Sequence, residues 1–271
     1  MQDFLSHEQS HAPARNLGRA PPRNLTGVNY FASQVVSLLV DRNSRGSVEL
    51  REPLVQAMIT ASVSGSDHAF EQLLAEVRRT RISLAALADV YIPEAARRMG
   101  EAWLADTMSW LEVSIGVGRL QSLLREIGNA WFADQSGDTG QGTILLILPD
   151  QEQHTLGAMV AMGQMRRFGV SVCLRIGPSL DELRNLLETR SFDGIMISVG
   201  TEGKLPLASS IVKFLRSIRS PSTPILIGGA VMSTVEDVAS CTGADLAFND
   251  IGAALEAIGL KPDALCTLKR A

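Results

Sequence analysis

The run Thr143-Ile-Leu-Leu-Ile-Leu148 is short and continuously apolar. A strand with one wet face alternates apolar and polar residues. An unbroken run suits a strand buried on both faces, as in parallel sheets covered by helices. The pattern repeats downstream. A helix over roughly 155 to 168 ends at Gly169, and Val170–Ile176 reads as a second strand. Ser179-Leu-Asp-Glu182 matches a capping box opening the next helix. Gly194–Val199 reads as a third strand, followed by a helix from about Pro206 to Ile218. Pro224–Ile227 reads as a fourth strand, and Ser233-Thr-Val-Glu236 as a second capping box. Asp245–Phe248 reads as a fifth strand, before a last helix over 250–258. Strands alternating with helices predict an α/β fold with a five-stranded, doubly wound parallel sheet. Such sheets take ligands beyond the carboxyl ends of their strands, at the topological switch point.

Upstream of a polar, Gly-rich linker at 134–142, the periodicity is helical. Tyr30, Phe31, Val35, Leu38 and Leu39 recur at three- and four-residue steps, and Leu54, Met58 and Ile59 begin a second helix. Phe70, Leu73, Leu74 and Val77 line a third. Ser83 is placed to cap a fourth, which Pro93 is expected to bend or divide. A fifth spans about Ser109 to Ala133. These predict a four- or five-helix bundle. Residues 1–27 contain Pro13, Pro21, Pro22, Arg15, Arg19 and Arg23, with few apolar residues, and read as a flexible basic tail. The expected organisation is a tail at 1–27, a bundle at 28–135 and an α/β domain at 143–262.

Composition narrows the function. Of 271 residues, 25 are basic and 29 acidic, a formal charge of −4 that argues against a DNA-binding surface. The basic tail leaves direct DNA contact open, but no helix-turn-helix is evident. No apolar run approaches membrane-spanning length, and the first residues lack a signal-peptide pattern. Cys173, Cys241 and Cys266 form no C-x-x-C, consistent with thiols in a reducing cytoplasm.

The loops after strands one, three and four should carry the chemistry. No G-x-G-x-x-G follows a strand, which removes the dinucleotide fingerprint. Gly200-Thr-Glu-Gly-Lys204 has the wrong spacing for a phosphate loop, with Leu205 where a magnesium-binding hydroxyl would stand. What remains is Glu152-x-His154-x-x-Gly157. One reading makes His154 a metal ligand through one ring nitrogen, with Glu152 fixing the other. Gly157 would then allow close approach of a bulky group. The plainer reading makes His154 a helix cap.

Taken with Ile195-Met-Ile-Ser198-Val-Gly200 and Ile225-Leu-Ile-Gly228-Gly229-Ala230, that loop resembles the cobalamin-binding domain pattern, D-x-H-x-x-G, S-x-L and G-G in order. Glu152 stands in place of Asp and Gly200 in place of Leu. The resemblance implies a flavodoxin-like domain with cobalamin as cofactor and His154 as lower cobalt ligand. It implies Glu152 as the partner of His154, and Gly157, Ser198, Gly200, Gly228 and Gly229 around the slot for the nucleotide tail. Gly100-Glu-Ala-Trp103 looks like the G-x-x-W element of the preceding bundle, which would set Trp103 above the corrin. Light-sensing adenosylcobalamin regulators share this layout but carry a Glu-His pair where this chain has Leu111-Glu112-Val113-Ser114.

Residues 30–260 resemble the AerR/PpaA antirepressors of photosynthetic bacteria. The stretches that carry this are Tyr91–Trp103, Arg119-Leu-Gln121 and the Glu-x-His loop. This implies a cytoplasmic regulator without catalytic turnover that binds a CrtJ/PpsR-type repressor of photosystem genes in response to light or redox. A corrinoid shuttle for methyltransferases, a heme-binding sensor using His154 and a cofactor-free adaptor that keeps only the fold are the alternatives. Trp110 and Trp131 read as core or interface, Glu112 as a candidate for the upper side of the pocket, and His68 as surface. The runs Arg78-Arg79-Thr80-Arg81 and Arg97-Arg98 read as solvated faces or as contacts to an acidic partner.

Overall fold

The structure, a computed structural model, describes residues 50–134 (130–134 as backbone only), 140–152, 154–218 and 223–260. The expected tail at 1–27, the helix around Tyr30–Leu39, most of the linker, Cys266 and the side chain of Trp131 lie outside the described residues.

Among the described residues, four helical stretches make the bundle. They are α1 (Glu52–Ser64), α2 (Asp67–Thr80), a continuous run ending in α3 (Ile92–Leu104), and α4 (Trp110–Asp134). Gly65, at φ 59°, ends α1 in the left-handed region that a Cβ disfavours. The third stretch begins with a helical turn at Leu84–Ala86, capped by Ser83 Oγ, which accepts from Ala86 N–H at 3.1 Å. It passes through a π-helical segment, Leu87–Tyr91, before becoming α3. The division expected at Pro93 thus lies just before it, as a wider turn and not a break. Leu54, Met58, Leu73, Val77, Leu87, Tyr91, Met99, Leu120 and Ile127 are buried in one core.

The α/β unit follows the predicted alternation. Its elements are β1 (Thr143–Leu148), α5 (Thr155–Arg167), β2 (Ser171–Ile176), α6 (Leu180–Thr189), β3 (Gly194–Ser198), α7 (Leu205–Ile218), β4 (Ile225–Gly228), α8 (Val238–Thr242), β5 (Leu246–Ala247) and α9 (Ile251–Ala257). The strands form one parallel sheet in the order β2-β1-β3-β4-β5. The apolar run of β1 serves two cores. Leu145 and Ile147 point to one side, and Ile144, Leu146 and Leu148 to the other. Burying each such side chain is worth about 1.5–3 kcal/mol, so register along β1 is fixed from both faces.

Two local expectations are corrected. Ser233 does not cap a helix. Its hydroxyl donates to the Ala230 carbonyl at 2.8 Å, and α8 is capped instead by Asp237, which accepts from Ser240 N–H at 3.2 Å. The fifth strand is two residues long, not four. Asp245 lies outside it, with its carboxylate accepting from Ile225 N–H at 2.7 Å and from Arg216 at 2.6 Å. The box at Ser179–Glu182 forms in both directions.

Candidate cofactor site

With β1 and β3 adjacent and their following helices on opposite faces, the switch point lies between their carboxyl ends. The loops 149–154 and 199–204 meet there. Gln151 sits at φ 57°, an uncommon conformation for a residue with a side chain. Its neighbour Glu152 is folded inward, with its side chain 1% exposed, while the His154 side chain is 60% exposed.

Glu152 is the hub. Its Oε1 accepts from His154 N–H at 2.9 Å and lies 2.9 Å from His154 Nδ1, while Oε2 accepts from Gly200 N–H at 2.8 Å. Burial pushes this carboxyl's pKa up. The hydrogen bonds from His154 and Gly200 outweigh that and hold it below the usual range. A buried carboxylate, charged and satisfied, therefore holds Nδ1 and leaves Nε2 for a ligand. The longer side chain of Glu152, compared with Asp, does not break this contact. His154 stands at the N-cap position of α5 but makes no side-chain cap bond, so the plainer reading of it as a helix cap is not what the geometry shows.

Gly200 has a physical reason to lack a side chain. A Cβ there would lie 2.6 Å from His154 Nδ1, 2.7 Å from its Cγ and 2.8 Å from Glu152 Oε1. Leu at this position would drive the ring out. Ser198 is in register with Gly228 across β3 and β4. A Cβ on Gly228 would meet the Phe248 carbonyl at 2.6 Å. One on Gly229, at φ 111°, would meet the Val199 carbonyl at 2.4 Å. Gly157 lies in the first turn of α5 with nothing within 4 Å of a Cβ, so its missing side chain leaves open space.

Glu152, His154 and Gly200 are thus one cluster, with Ser198, Gly228 and Gly229 along the neighbouring strand ends. The opening at His154, about 260 Å³, is lined by Gln151, Glu152, His154, Thr201 and Lys204. The Lys204 ammonium donates to the Asp150 carbonyl at 3.4 Å. Thr201 and Lys204 line the opening although their loop fails as a phosphate loop. Their position after strand three was the available signal.

Trp103 does not line this opening. It stands next to last in α3, Trp110 begins α4, and both residues are exposed, 46% and 66%. Helices α4 and α5 run the same way. Gln121 meets Thr155 at one end of their seam, and Gly128 and Asn129 share a cleft of about 220 Å³ with Gly163 and Arg166 further along. Helix α5 starts at the carboxyl edge of β1. The part of α4 before Gln121, about 16 Å long at about 1.5 Å per residue, therefore extends past that edge and carries Trp110, Leu111 and Ile115. Glu112 lines neither this opening nor that cleft. It closes a capping box with Ser109, accepting from its backbone N–H at 2.8 Å. The S-x-x-E spacing at 109–112 was the legible sign.

Among the described residues, no three His, Cys, Asp or Glu gather to hold a bare metal ion. One accessible imidazole with its other nitrogen fixed suits a metal whose equatorial positions are filled by its own macrocycle.

An uncharacterized 20.5 kDa protein of Rhodobacter capsulatus, from the bchF-crtJ intergenic region, is 37% identical over 188 residues, covering 69% of this chain and 98% of that protein. The chain belongs to that protein's family. No family model matches the sequence. The monomethylamine corrinoid protein of Methanosarcina barkeri superposes with a TM-score of 0.54 at 12% identity, over 75% of this chain and 94% of that one. This member of that family therefore shares the bundle-plus-sheet fold of the monomethylamine corrinoid protein. No helix of its described residues is long and apolar enough to cross a membrane.

Proposed function

We propose that this chain is a cobalamin-binding transcriptional regulator of the AerR/PpaA antirepressor type, acting without catalytic turnover on a CrtJ/PpsR-type repressor. The observation that carries the cofactor half is the Glu152–His154–Gly200 cluster at the switch point. It leaves Nε2 of one exposed imidazole as a ready axial ligand. The partner half is supported by membership of a family with a relative encoded beside crtJ. Cobalamin, when bound, would supply ligand exchange at cobalt under the control of light or redox. The chain's residues supply the rest. Glu152 orients His154, and Ser198, Gly228 and Gly229 bound the space for the nucleotide tail. Trp103 and its overhang offer an apolar roof. The signal would reach the repressor by altering how the bundle packs.

The test is retention of hydroxocobalamin through desalting, in darkness and in light, with His154→Ala alongside. It is followed by binding to the purified repressor in each state. Corrinoid bands lost or shifted in the variant, together with repressor affinity that follows the cofactor, are the expected results. Equal repressor binding with and without corrinoid would remove the switch. The superposition on a corrinoid protein also favours a second reading, a methyl carrier for methyltransferases. Turnover of methyl groups with such enzymes would select it.

A further inference from the structure

Arg119 and Gln121 lie two positions apart on α4 and so face nearly opposite ways. Arg119 donates to the Ser62 carbonyl at 2.6 Å, inside the bundle. Gln121 Nε2 donates across the seam to Thr155 Oγ1 at 2.8 Å. Thr155 directly follows His154 and begins α5, the helix whose Leu156, Met159 and Val160 pack on the bundle core. His154 itself has φ −84° and ψ 64°, outside the helical region, so its backbone is set by what holds Thr155 on one side and Glu152 on the other.

We propose that Gln121 is a positioning residue for the axial ligand: through Thr155 it couples the seating of the bundle to the reach of the His154 imidazole toward cobalt. The inference rests on the cobalamin reading. Glu152 fixes which nitrogen the ring presents, and Gln121 fixes where the ring's backbone stands. The coupling is reciprocal by thermodynamic necessity. A repressor that draws the bundle off the seam weakens ligation by His154, and loss of that ligation loosens the bundle.

The experiment uses the full chain labelled with nitrogen-15, loaded with unlabelled cobalamin and reduced to Co(II). Electron paramagnetic resonance then distinguishes His154 as axial ligand, a doublet splitting, from the cofactor's own base, a triplet. Gln121→Leu and Thr155→Val are each expected to lower the ratio of His-ligated to His-free cobalt about three- to tenfold, the worth of one hydrogen bond. The double variant should be no worse than either single change. Gln121→Glu, which can accept from the threonine hydroxyl, should recover most of the ratio. A His-ligated wild type with an unchanged ratio in both single variants overturns the inference and leaves the cobalamin reading standing, as does simple multiplication of the two losses. A wild type that shows no doublet overturns both. Should Gln121→Leu fail to fold, Thr155→Val makes the same test from the other side of the seam.

Discussion

Glu152 and His154 are joined twice through a single oxygen. Oε1 accepts from the His154 backbone N–H and stands at the same 2.9 Å from its Nδ1. One buried carboxylate therefore fixes both where the histidine's main chain lies and how its ring is turned. Removing it should uncouple the two.

Glu152→Gln should keep the fold and lower corrinoid affinity about 10- to 100-fold, the usual effect of losing the partner of a metal-ligating histidine. Glu152→Ala should also lower the melting temperature. It strands the Gly200 and His154 N–H groups at a cost of about 1–3 kcal/mol each if they stay buried. Titration of apo-protein with hydroxocobalamin and thermal unfolding separate the two effects.

Gly200→Leu restores the residue of the S-x-L pattern and should abolish His154 ligation, because even its Cβ falls within 2.7 Å of two ring atoms. The visible spectrum of the loaded variant is the readout. A normal His-ligated spectrum would show that the loop yields more easily than this packing allows.

Trp103→Ala and Trp110→Ala should each change apo-protein stability by no more than about 0.5 kcal/mol, since both side chains are substantially exposed. Each should speed corrinoid dissociation if the overhang serves as a roof. Unchanged dissociation in both would turn the exposed indoles into candidates for protein contact instead.

Glu94 contributes to the acid stability of the bundle. Hydrogen bonding by Arg97, opposed by partial burial and aided by Arg98, holds its pKa at about 2, down from 4.5. A depressed carboxyl stabilises the fold fully above its unfolded value and loses that contribution as pH falls through its folded value. The loss should therefore run from pH 4.5 to about 2. Arg97 is exposed and Arg98 partly so, and the effect should be no more than about 1 kcal/mol. Melting temperatures of wild type and Glu94→Gln should converge across that window and differ above it.

Asp89 and Arg167 join the π-helical segment to the end of α5, at 2.6 Å and largely out of solvent. Asp89→Asn should lower stability by about 1–3 kcal/mol and raise proteolytic cleavage between the bundle and the sheet. Limited proteolysis with and without corrinoid reads this directly.

The sheet was legible because β1, β3 and β4 are apolar on both faces, a pattern that few other elements share. The Glu-x-His pair was legible because its geometry is local: two residues of one loop bond each other. The last strand and the box at Ser233 misled for a related reason. Asp245 and Asp237 had nearer or better partners, Ile225 N–H and Ser240 N–H, and a linear reading does not rank competing acceptors. The bond of Gln121 to Thr155, and the place of Thr201 and Lys204 beside His154, are not legible in the sequence because folding alone brings these residues to the Glu-x-His loop.

The π-helical turn at Leu87–Tyr91 carries a consequence for the roof. A π turn holds one residue more than an α turn, and each residue advances a helix by about 100°. Deleting a single residue there would leave an unbroken helix of ordinary pitch. Everything after it, Trp103 included, would keep nearly its present facing, because the wide turn and the ordinary one close on almost the same angle. The surplus amino acid, which helix propensity alone would never require, is absorbed within one turn and leaves the aim of the indole a dozen residues downstream nearly unchanged.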